Sequence, residues 1–351
     1  MVNNIRAEDG SKLGRVTIKD IANALSLSRN TVAKGLRKDN SVTKKTQDQI
    51  INKAVELGYS DANINNHENG NNGKLKKIIV IKNAVSDEFY DRILVGVSSE
   101  LAKNNCVMSM YIVSNEENPE NKAMLDFIRD EADGVLGINL FSDGFMRELT
   151  KYKKAFVYFD KPVNVELSSL GIDTVCMGAM DSIFRLTEKL INMGVREFSF
   201  VGDYSYCQST YDRYVGFVGA LNKHSIPLNK KLLICKENTD YYDVEVINSA
   251  LASLEKLPEA FICLNDELAI RVINYLSGKG LCAQKDYLIS GFDDTSAAQS
   301  LDLPLTTVKA YNEFIGRRMV QMVIERLGSA DKPFETIFVH GELLLRLSTE
   351  R

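Results

Sequence analysis

A small all-α head carried on an α/β body of two doubly wound lobes is the fold that this 351-residue sequence predicts. Three observations carry the prediction. Residues 16 to 60 hold three short amphipathic stretches of helical period, each with capping signals. Residues 61 to 73 read DANINNHENGNNG, in which six of thirteen residues are Asn and two are Gly. From Lys76 onward, β-branched and aliphatic runs alternate with amphipathic segments, the pattern of parallel sheets covered by helices.

The length exceeds one ordinary core, so two or three folding units are expected. Apolar residues make up 44% and charged residues 26% of the chain. No apolar run approaches the ~18 residues that span a bilayer. The first residues show neither a hydrophobic signal core nor a lipid-anchor motif, so a cytoplasmic location is expected. Six cysteines lie scattered without C-x-x-C pairs, and three histidines (His67, His224, His340) stand far apart. Neither a disulfide framework nor a metal cluster is implied, and no cofactor is expected.

Net charge is −4, but it is unevenly placed. Residues 1 to 60 carry eleven Lys and Arg against six Asp and Glu, a net of +5, which leaves −9 on the other 291. A polyanion is therefore a partner for the head alone.

Residues 1 to 15 are polar and aperiodic and are expected to be a disordered tail. Thr17 caps the first helix, with Asp20 three positions on, and Ile18, Ile21, Ala22 and Leu25 form its apolar face. Ser28 caps the second, Arg29 to Leu36, whose Val32 and Leu36 point inward. A third begins after Thr43, carries Ile50 or Ile51, Ala54, Val55 and Leu57, and ends at Gly58, a residue suited to the left-handed C′ position. Residues 61 to 75 read as a linker with too little apolar surface to order itself.

In the body, 76 to 351, the runs Ile78–Ile81, Val107–Val113, Gly134–Ile138, Ala155–Phe159, Phe198–Val201, Leu232–Ile234, Ala260–Leu264 and Leu288–Ser290 read as buried parallel strands. Helices are predicted at Phe89–Lys103, Gly178–Asn192, Ser209–His224, Asp243–Leu257 and Asp266–Lys279. Eight strands overfill one common open sheet, so two lobes are expected, of about 76–172 and 173–303, with Pro304–Val308 crossing back. Ligands of such sheets bind beyond the carboxyl ends of the strands, which makes the interlobe cleft the binding site.

The second helix of the head carries chemistry suited to base edges in a major groove. Arg29 can pair with guanine, Asn30 with adenine and Lys34 with a base or a phosphate. Thr17, Ser28 and Thr31 can hold the DNA backbone with helix N-terminal amides. On these residues alone, an ordinary solvated helix is the favoured account.

The run from Val16 to Tyr59 resembles the DNA-binding headpiece of the LacI/GalR repressor family, whose pattern includes T-I-x-D-[IV]-A, V-S-x-x-T-V-S-R and a closing E-L-G-Y. The likeness continues in Asn265-Asp266, in Gly291-Phe292-Asp293-Asp294 and in Pro304 to Val308. It implies a helix-turn-helix head, a periplasmic-binding-protein-like body, an operator, a sugar-like effector and a homodimer. Only four residues follow Leu347, with no heptad tail of the kind that makes some relatives tetrameric. This sequence has Val32-Ala33-Lys34-Gly35 where relatives commonly have V-S-R and an aliphatic residue, so one hydroxyl is missing and a helix-weakening glycine is present. Where relatives carry P-N-x-x-A-R-x-L, a hinge with a Leu wedge, it has Ser60 to His67 without that Leu. The operator is therefore expected to bend less than with typical relatives, and a sharp central kink in a gel-shift bending assay would contradict this.

In the body, Arg213 matches the family's effector arginine, whose forked donors suit hydroxyls or a carboxylate; on residues alone a surface ion pair is the favoured reading, which the resemblance reverses. Asp266 opens a helix at a strand end, where it can cap that helix and accept from the ligand. Tyr90 offers a stacking face and a hydroxyl, while Phe89 shares the core stripe of Ile93 and Val97. Asn139, Asp160 and Tyr241 are candidates by the same reasoning, and Asp293 is expected to orient cleft groups.

Two other classes compete. A sugar-modifying enzyme of similar fold lacks support, because G-x-S-x-G, G-x-x-x-x-G-K-[ST] and a post-strand G-x-G-x-x-G are all absent. A solute-binding receptor would not need the basic head.

Overall fold

The computed structural model describes residues 16–37, 39, 41–57, 59, 75–84, 87–114, 122–163 and 165–350. The expected tail, the linker with its atypical hinge and Gly58 lie outside them. The chain divides into two compact units between Lys74 and Leu75.

In the first unit the three predicted helices form: α1 (Ile18–Leu25), α2 (Arg29–Leu36) and α3 (Lys44–Glu56). Asp20 accepts from both the Thr17 amide (2.8 Å) and the Thr17 hydroxyl (2.7 Å), which fixes the first turn of α1. Ser26 closes the helix in a left-handed conformation (φ 53°). Ser28 Oγ accepts from the Thr31 amide at 3.0 Å to start α2. Ile21, Ala22, Val32, Leu36, Ile50 and Ala54 form the shared core, so Ile50, not Ile51, is the inward residue of α3. Gly35 has a packing reason: a Cβ there would lie 2.3 Å from Ile50 Cδ1. The glycine that weakens α2 lets α3 approach it.

The body contains β1 (Lys76–Asn83), α4 (Glu88–Lys103), β2 (Cys106–Val113), α5 (Lys122–Asp130), β3 (Gly134–Ile138), α6 (Asp143–Thr150), β4 (Ala155–Phe159) and β5 (Ile172–Gly178). It continues through α7 (Met180–Asn192), β6 (Phe198–Val201), α8 (Gln208–Lys223), α9 (Val244–Ala252), β7 (Ala260–Cys263), α10 (Asp266–Ser277), β8 (Leu288–Ser290) and α11 (Ser296–Gln299). The chain closes with β9 (Thr307–Lys309), α12 (Asn312–Gly328), β10 (Thr336–His340) and β11 (Glu342–Leu344).

One sheet runs β10-β5-β4-β3-β1-β2 and a second β6-β7-β8, both parallel throughout, while β11 pairs antiparallel with β9 in a third of two strands. Alternate residues of the first sheet enter two cores. Ile78, Val80, Leu136, Val157 and Val175 face one side; Ile79, Ile81, Val135, Phe156 and Ile172 face the other. Burial on both faces is why β3 and β4 read as unbroken apolar runs.

Three expectations need correction. The segment Leu232–Ile234 is a 3₁₀ turn (Lys230–Leu232) followed by a single bridge, Ile234 to Val201, beside β6. The strand β2 is an edge, and Met108, Met110 and Ile112 are exposed, so it is not buried as a parallel interior strand would be. The first lobe extends to Gly178, because β5 pairs with β4 and β10.

The lobes exchange the chain three times: after β5, after β9 and between β10 and β11. Glycines let these crossings lie close. A Cβ on Gly178 would sit 2.7 Å from His340 Nδ1, and one on Gly341 2.6 Å from Val308 Cγ1.

The helices α4 and α12 also meet backbone to backbone. A Cβ on Gly316 would stand 2.1 Å from the Ile93 carbonyl, and one on Gly96 2.1 Å from the Glu313 carbonyl. Gly316→Ala is therefore expected to cost about 1–3 kcal/mol through overpacking, although alanine favours a helix interior by roughly 1 kcal/mol. A urea titration checks it; unchanged stability would mean that the helices can separate freely.

Candidate functional site

The carboxyl ends of the two parallel sheets face each other across the lobes, and the polar residues of the cleft sit on the turns that follow the strands. Several turns need left-handed backbone, which Asn and Asp tolerate better than bulkier residues: Asn139 (φ 56°) after β3, Asp160 (φ 63°) after β4, and Asp293 (φ 109°) and Asp294 (φ 55°) after β8.

Asp160 is buried and accepts from the Lys161 amide (2.8 Å) and, across the lobes, from the Ser209 amide at the start of α8 (3.3 Å). Burial pushes its carboxyl above the ordinary range, against the lowering effect of donors from Cys207, Lys161 and Ser209. Asn139 Oδ1 accepts from the Tyr206 hydroxyl of the second lobe at 2.7 Å, while its Nδ2 is buried without a hydrogen-bond partner. At the mouth, the Glu88 carboxylate accepts from the Ser296 amide (3.0 Å) and hydroxyl (2.7 Å).

Arg213 is buried on α8. Its Nη1 donates to the Leu264 carbonyl (2.6 Å), its guanidinium lies over the Phe292 ring (3.8 Å), and Nη2 stands 3.8 Å from Asp293 Oδ1. Neither Arg213 Nε nor Asp293 Oδ1 has a hydrogen-bond partner. Burial raises the Asp293 carboxyl well above the usual range, with Arg213 pulling the other way. The sequence therefore places a forked donor and a buried acceptor side by side.

Tyr90 packs edge-on against Phe89 (5.2 Å between ring centres) and near Phe159 (6.4 Å). Burial holds its hydroxyl protonated, with Tyr206, Cys207, Asp87 and Asp160 close enough to add to the shift. Phe89 joins the core as expected, 5.7 Å from Phe159.

Two candidates lie behind the cleft. Tyr241 is a core residue of the second lobe, and its hydroxyl accepts from the Lys236 amide at 2.8 Å. Its neighbour Tyr242 is more exposed: the hydroxyl accepts from Asn265 Nδ2 (2.8 Å), and burial of that hydroxyl raises its pKa, with Asp293 adding to the shift and Arg213 opposing it. Asp266 is fully buried and does not cap α10; Asn265 does, through Leu268 N (3.0 Å). The Asp266 carboxylate is used internally. It accepts from the Thr307 hydroxyl (2.6 Å) and the Thr295 amide (2.8 Å), tying α10 to the turn after β8 and to a crossing strand.

Burial raises the Asp266 carboxyl to about 6, despite the hydrogen bonds from Thr307 and Thr295. A carboxyl whose folded pKa lies above its unfolded value of 3.8 holds its proton more tightly in the native state. Its stabilising contribution is full below the unfolded value and is lost as pH rises through the folded one. Wild-type stability is expected to fall by about 3 kcal/mol more than that of Asp266→Asn between roughly pH 4 and pH 7. Parallel curves in denaturant titrations across that window would contradict it.

In the head, Thr17, Ser28, Arg29 and Asn30 are exposed, and Thr31 and Lys34 are half-buried. Ser28 and Thr31 share a hydroxyl contact of 2.8 Å, and Lys34 Nζ donates to Ser41 Oγ at 3.3 Å. The first turn of α2 is thus stiffened by its polar residues.

Two facing α/β lobes joined by three crossings, with a polar cleft between them, define a receptor of the periplasmic-binding-protein-like class. The family model for the periplasmic binding protein-like domain matches residues 187–349. Over 95% of its length the chain is similar to curated HTH-type transcriptional repressors. It is 24% identical over 342 residues to the HTH-type transcriptional repressor PurR of Mannheimia succiniciproducens, covering 95% of this chain and 99% of that one. Its fold matches the transcriptional regulator CelR in complex with cellobiose (TM-score 0.68, 19% identity, 95% of this chain and 100% of the other). It also matches the lac repressor dimer bound to operator and the anti-inducer ONPF (TM-score 0.66, 18% identity, 96% and 100%).

Proposed function

We propose that this chain is a transcription regulator, acting as a repressor, which binds a palindromic DNA operator as a homodimer through its head and is switched by a small polar effector, a sugar or sugar derivative, held between its lobes. The observation that carries the reading is one chain holding both a basic three-helix reader and a cleft in which Arg213 and Asp293 are buried with unmatched polar atoms. Repressor relatives that match 95% of the chain favour this over a solute receptor or an enzyme. The cellobiose complex of CelR favours a sugar, and the operator-bound lac repressor dimer favours a two-headed grip on DNA.

In this reading Arg29 and Asn30 address base edges, Lys34 meets a base or a phosphate, and Thr17, Ser28 and Thr31 hold the phosphate backbone. Arg213, Asp293, Asn139 and Tyr90 meet the effector, joined by Tyr242, Asn265 and Tyr206. Asp160 ties the lobes, and Asp266 and Tyr241 support the walls. The ligand favours one lobe arrangement and so alters the spacing of the two heads, whether it acts as inducer or corepressor. Among the described residues no helix is long and apolar enough to cross a membrane; the reading places the protein in the cytoplasm, with its DNA.

The test is a mobility-shift selection from random duplexes with the full chain and with a variant lacking residues 1 to 59. Enrichment of a palindrome by the full chain alone supports the reading. Equal binding by both forms, or no preference over random sequence at physiological salt, would overturn it.

A further inference from the structure

The order of the strands fixes where each bond between the lobes falls. Along the carboxyl edges the first sheet presents β4, β3 and β1 in turn, and the second β6, β7 and β8. Among the described residues, side-chain bonds cross the cleft in that order. Asp160, after β4, accepts from the Ser209 amide after β6 (3.3 Å). Asn139, after β3, accepts from the Tyr206 hydroxyl, also after β6 (2.7 Å). Glu88, after β1, accepts from the Ser296 amide (3.0 Å) and hydroxyl (2.7 Å) after β8. The Tyr206 and Glu88 tethers therefore stand at opposite edges of the second sheet, with only the end of β7 between them. That gap is two strand spacings, about 10 Å, before the tethers' own side chains are subtracted. It holds Arg213 on the Leu264 carbonyl and Asn265 bonded to Tyr242. One sugar ring fits such a window, whereas two linked rings have to leave it past a tether.

The two tethers are unequal. Glu88 holds Ser296 through charge-assisted bonds and is paired with Arg92 on its own helix, so that side yields reluctantly. Tyr206 closes the other side with one neutral hydrogen bond and an edge-to-face contact with Phe141 of the first lobe (4.9 Å between ring centres). About half of Tyr206 is exposed, so it stands at the mouth and not in a wall. The turn that carries it is braced. Asp203 Oδ1 accepts from the Ser205 amide (2.8 Å) and hydroxyl (2.6 Å), and Tyr204 stacks on Tyr214 at 4.2 Å. Swinging Tyr206 aside forfeits its hydrogen bond and its ring contact, together worth about 10- to 100-fold in affinity.

We propose that Tyr206 is the specificity-determining residue for effector size: its side chain bars the flank between β3 and β6, so the cleft takes a sugar of one ring and turns away compounds with a second linked ring. This rests on the proposed function and names the size class of its effector. The weaker tether decides the limit, because a ligand too long for the window leaves by the side that costs least to open.

The experiment is calorimetry on the full chain with one-ring sugars (ribose, glucose, galactose) and two-ring sugars (cellobiose, lactose, maltose), for wild type, Tyr206→Phe and Tyr206→Ala, each checked for folding by circular dichroism. The expected result is that the best one-ring sugar binds wild type at least ~10-fold more tightly than any two-ring sugar. Tyr206→Ala should raise the ratio of two-ring to one-ring affinity by about 10-fold or more. Tyr206→Phe, which keeps the ring against Phe141, should move that ratio much less. A general loosening of the fold would weaken both classes together and leave the ratio where it was. A ratio that Tyr206→Ala does not change therefore overturns the inference, and so does a two-ring sugar that wild type binds as tightly as its best one-ring sugar. Both results leave the regulator reading intact. Silence from every sugar at millimolar concentration, in wild type and Tyr206→Ala alike, would instead count against the cleft as a sugar receptor, and the inference would fall with it.

Discussion

Arg326→Met is expected to destabilise the protein by about 3–5 kcal/mol, because it leaves a buried carboxylate without its counter-charge. Arg326 projects from the last turn of α12 and grips Asp173 of β5 with two parallel hydrogen bonds, from Nε at 2.9 Å and from Nη2 at 2.8 Å. The same guanidinium donates to the Pro333 carbonyl (2.9 Å) and the Lys332 carbonyl, and it stacks on Phe334 at 4.3 Å. Asp173 also accepts from the Glu335 amide at 2.8 Å, so the pair fixes the turn that delivers β10 to β5. Both side chains are almost wholly buried, at 6% and 3% exposure, which puts their interaction beyond the screening that makes surface pairs weak. Urea unfolding of Arg326→Met, Asp173→Leu and the double variant measures the effect. The double variant should recover more than half of the loss, since replacing both partners removes the unpaired charge. A single-variant cost below about 1 kcal/mol would show that the pair is dispensable.

Arg29→Ala is expected to weaken binding to the preferred operator by about 10- to 100-fold, corresponding to roughly 1–3 kcal/mol for one bidentate base contact. Its effect on scrambled duplex should be much smaller. Arg29 is exposed at the first position of α2, and the Ser28 to Thr31 bonds hold the turn beneath it. Lys34→Ala should act differently if it meets a phosphate, lowering affinity for all duplexes and reducing the salt slope by about one. Fluorescence anisotropy on selected and scrambled duplexes at several salt concentrations separates the two. Equal losses on both duplexes for Arg29→Ala would move that residue from base reading to backbone contact.

The head was legible almost residue by residue because its core is local: three amphipathic stripes with caps at their starts determine one small bundle. In the body, β3 and β4 stood out because both of their faces are buried. The strand β5 did not, because Asp173 and Thr174 interrupt its apolar run. Its acidic residue is tolerable in the interior only through Arg326, 153 positions later, a partner that no local window contains.

The site divides in the same way. Asn139, Asp160, Arg213 and Asp293 are marked in the sequence by strand ends and family motifs, and the structure buries the first three and leaves only a tenth of the Asp293 side chain exposed. Tyr241 and Asp266 are turned into the protein's own hydrogen bonds, while their neighbours Tyr242 and Asn265 bond each other. Which of two adjacent residues faces the cleft depends on where the strand stops and the helix cap begins, and that is settled by tertiary hydrogen bonds such as Thr307 to Asp266. Tyr206 carried no local signal, since its role depends on Asn139 in the other lobe.

The triple exchange of chain between the lobes also constrains the order in which the molecule can be made. The helix α12 and the strand β10, which complete the first lobe, leave a ribosome long after β1 to β5. During synthesis the β5 edge therefore waits without its neighbour while the second lobe, whose β6, β7 and β8 are already present, can assemble. A nascent chain that stops before residue 312 would expose both that edge and the α4 face that α12 covers, so the aggregation hazard persists until residues 312 to 340 have been made.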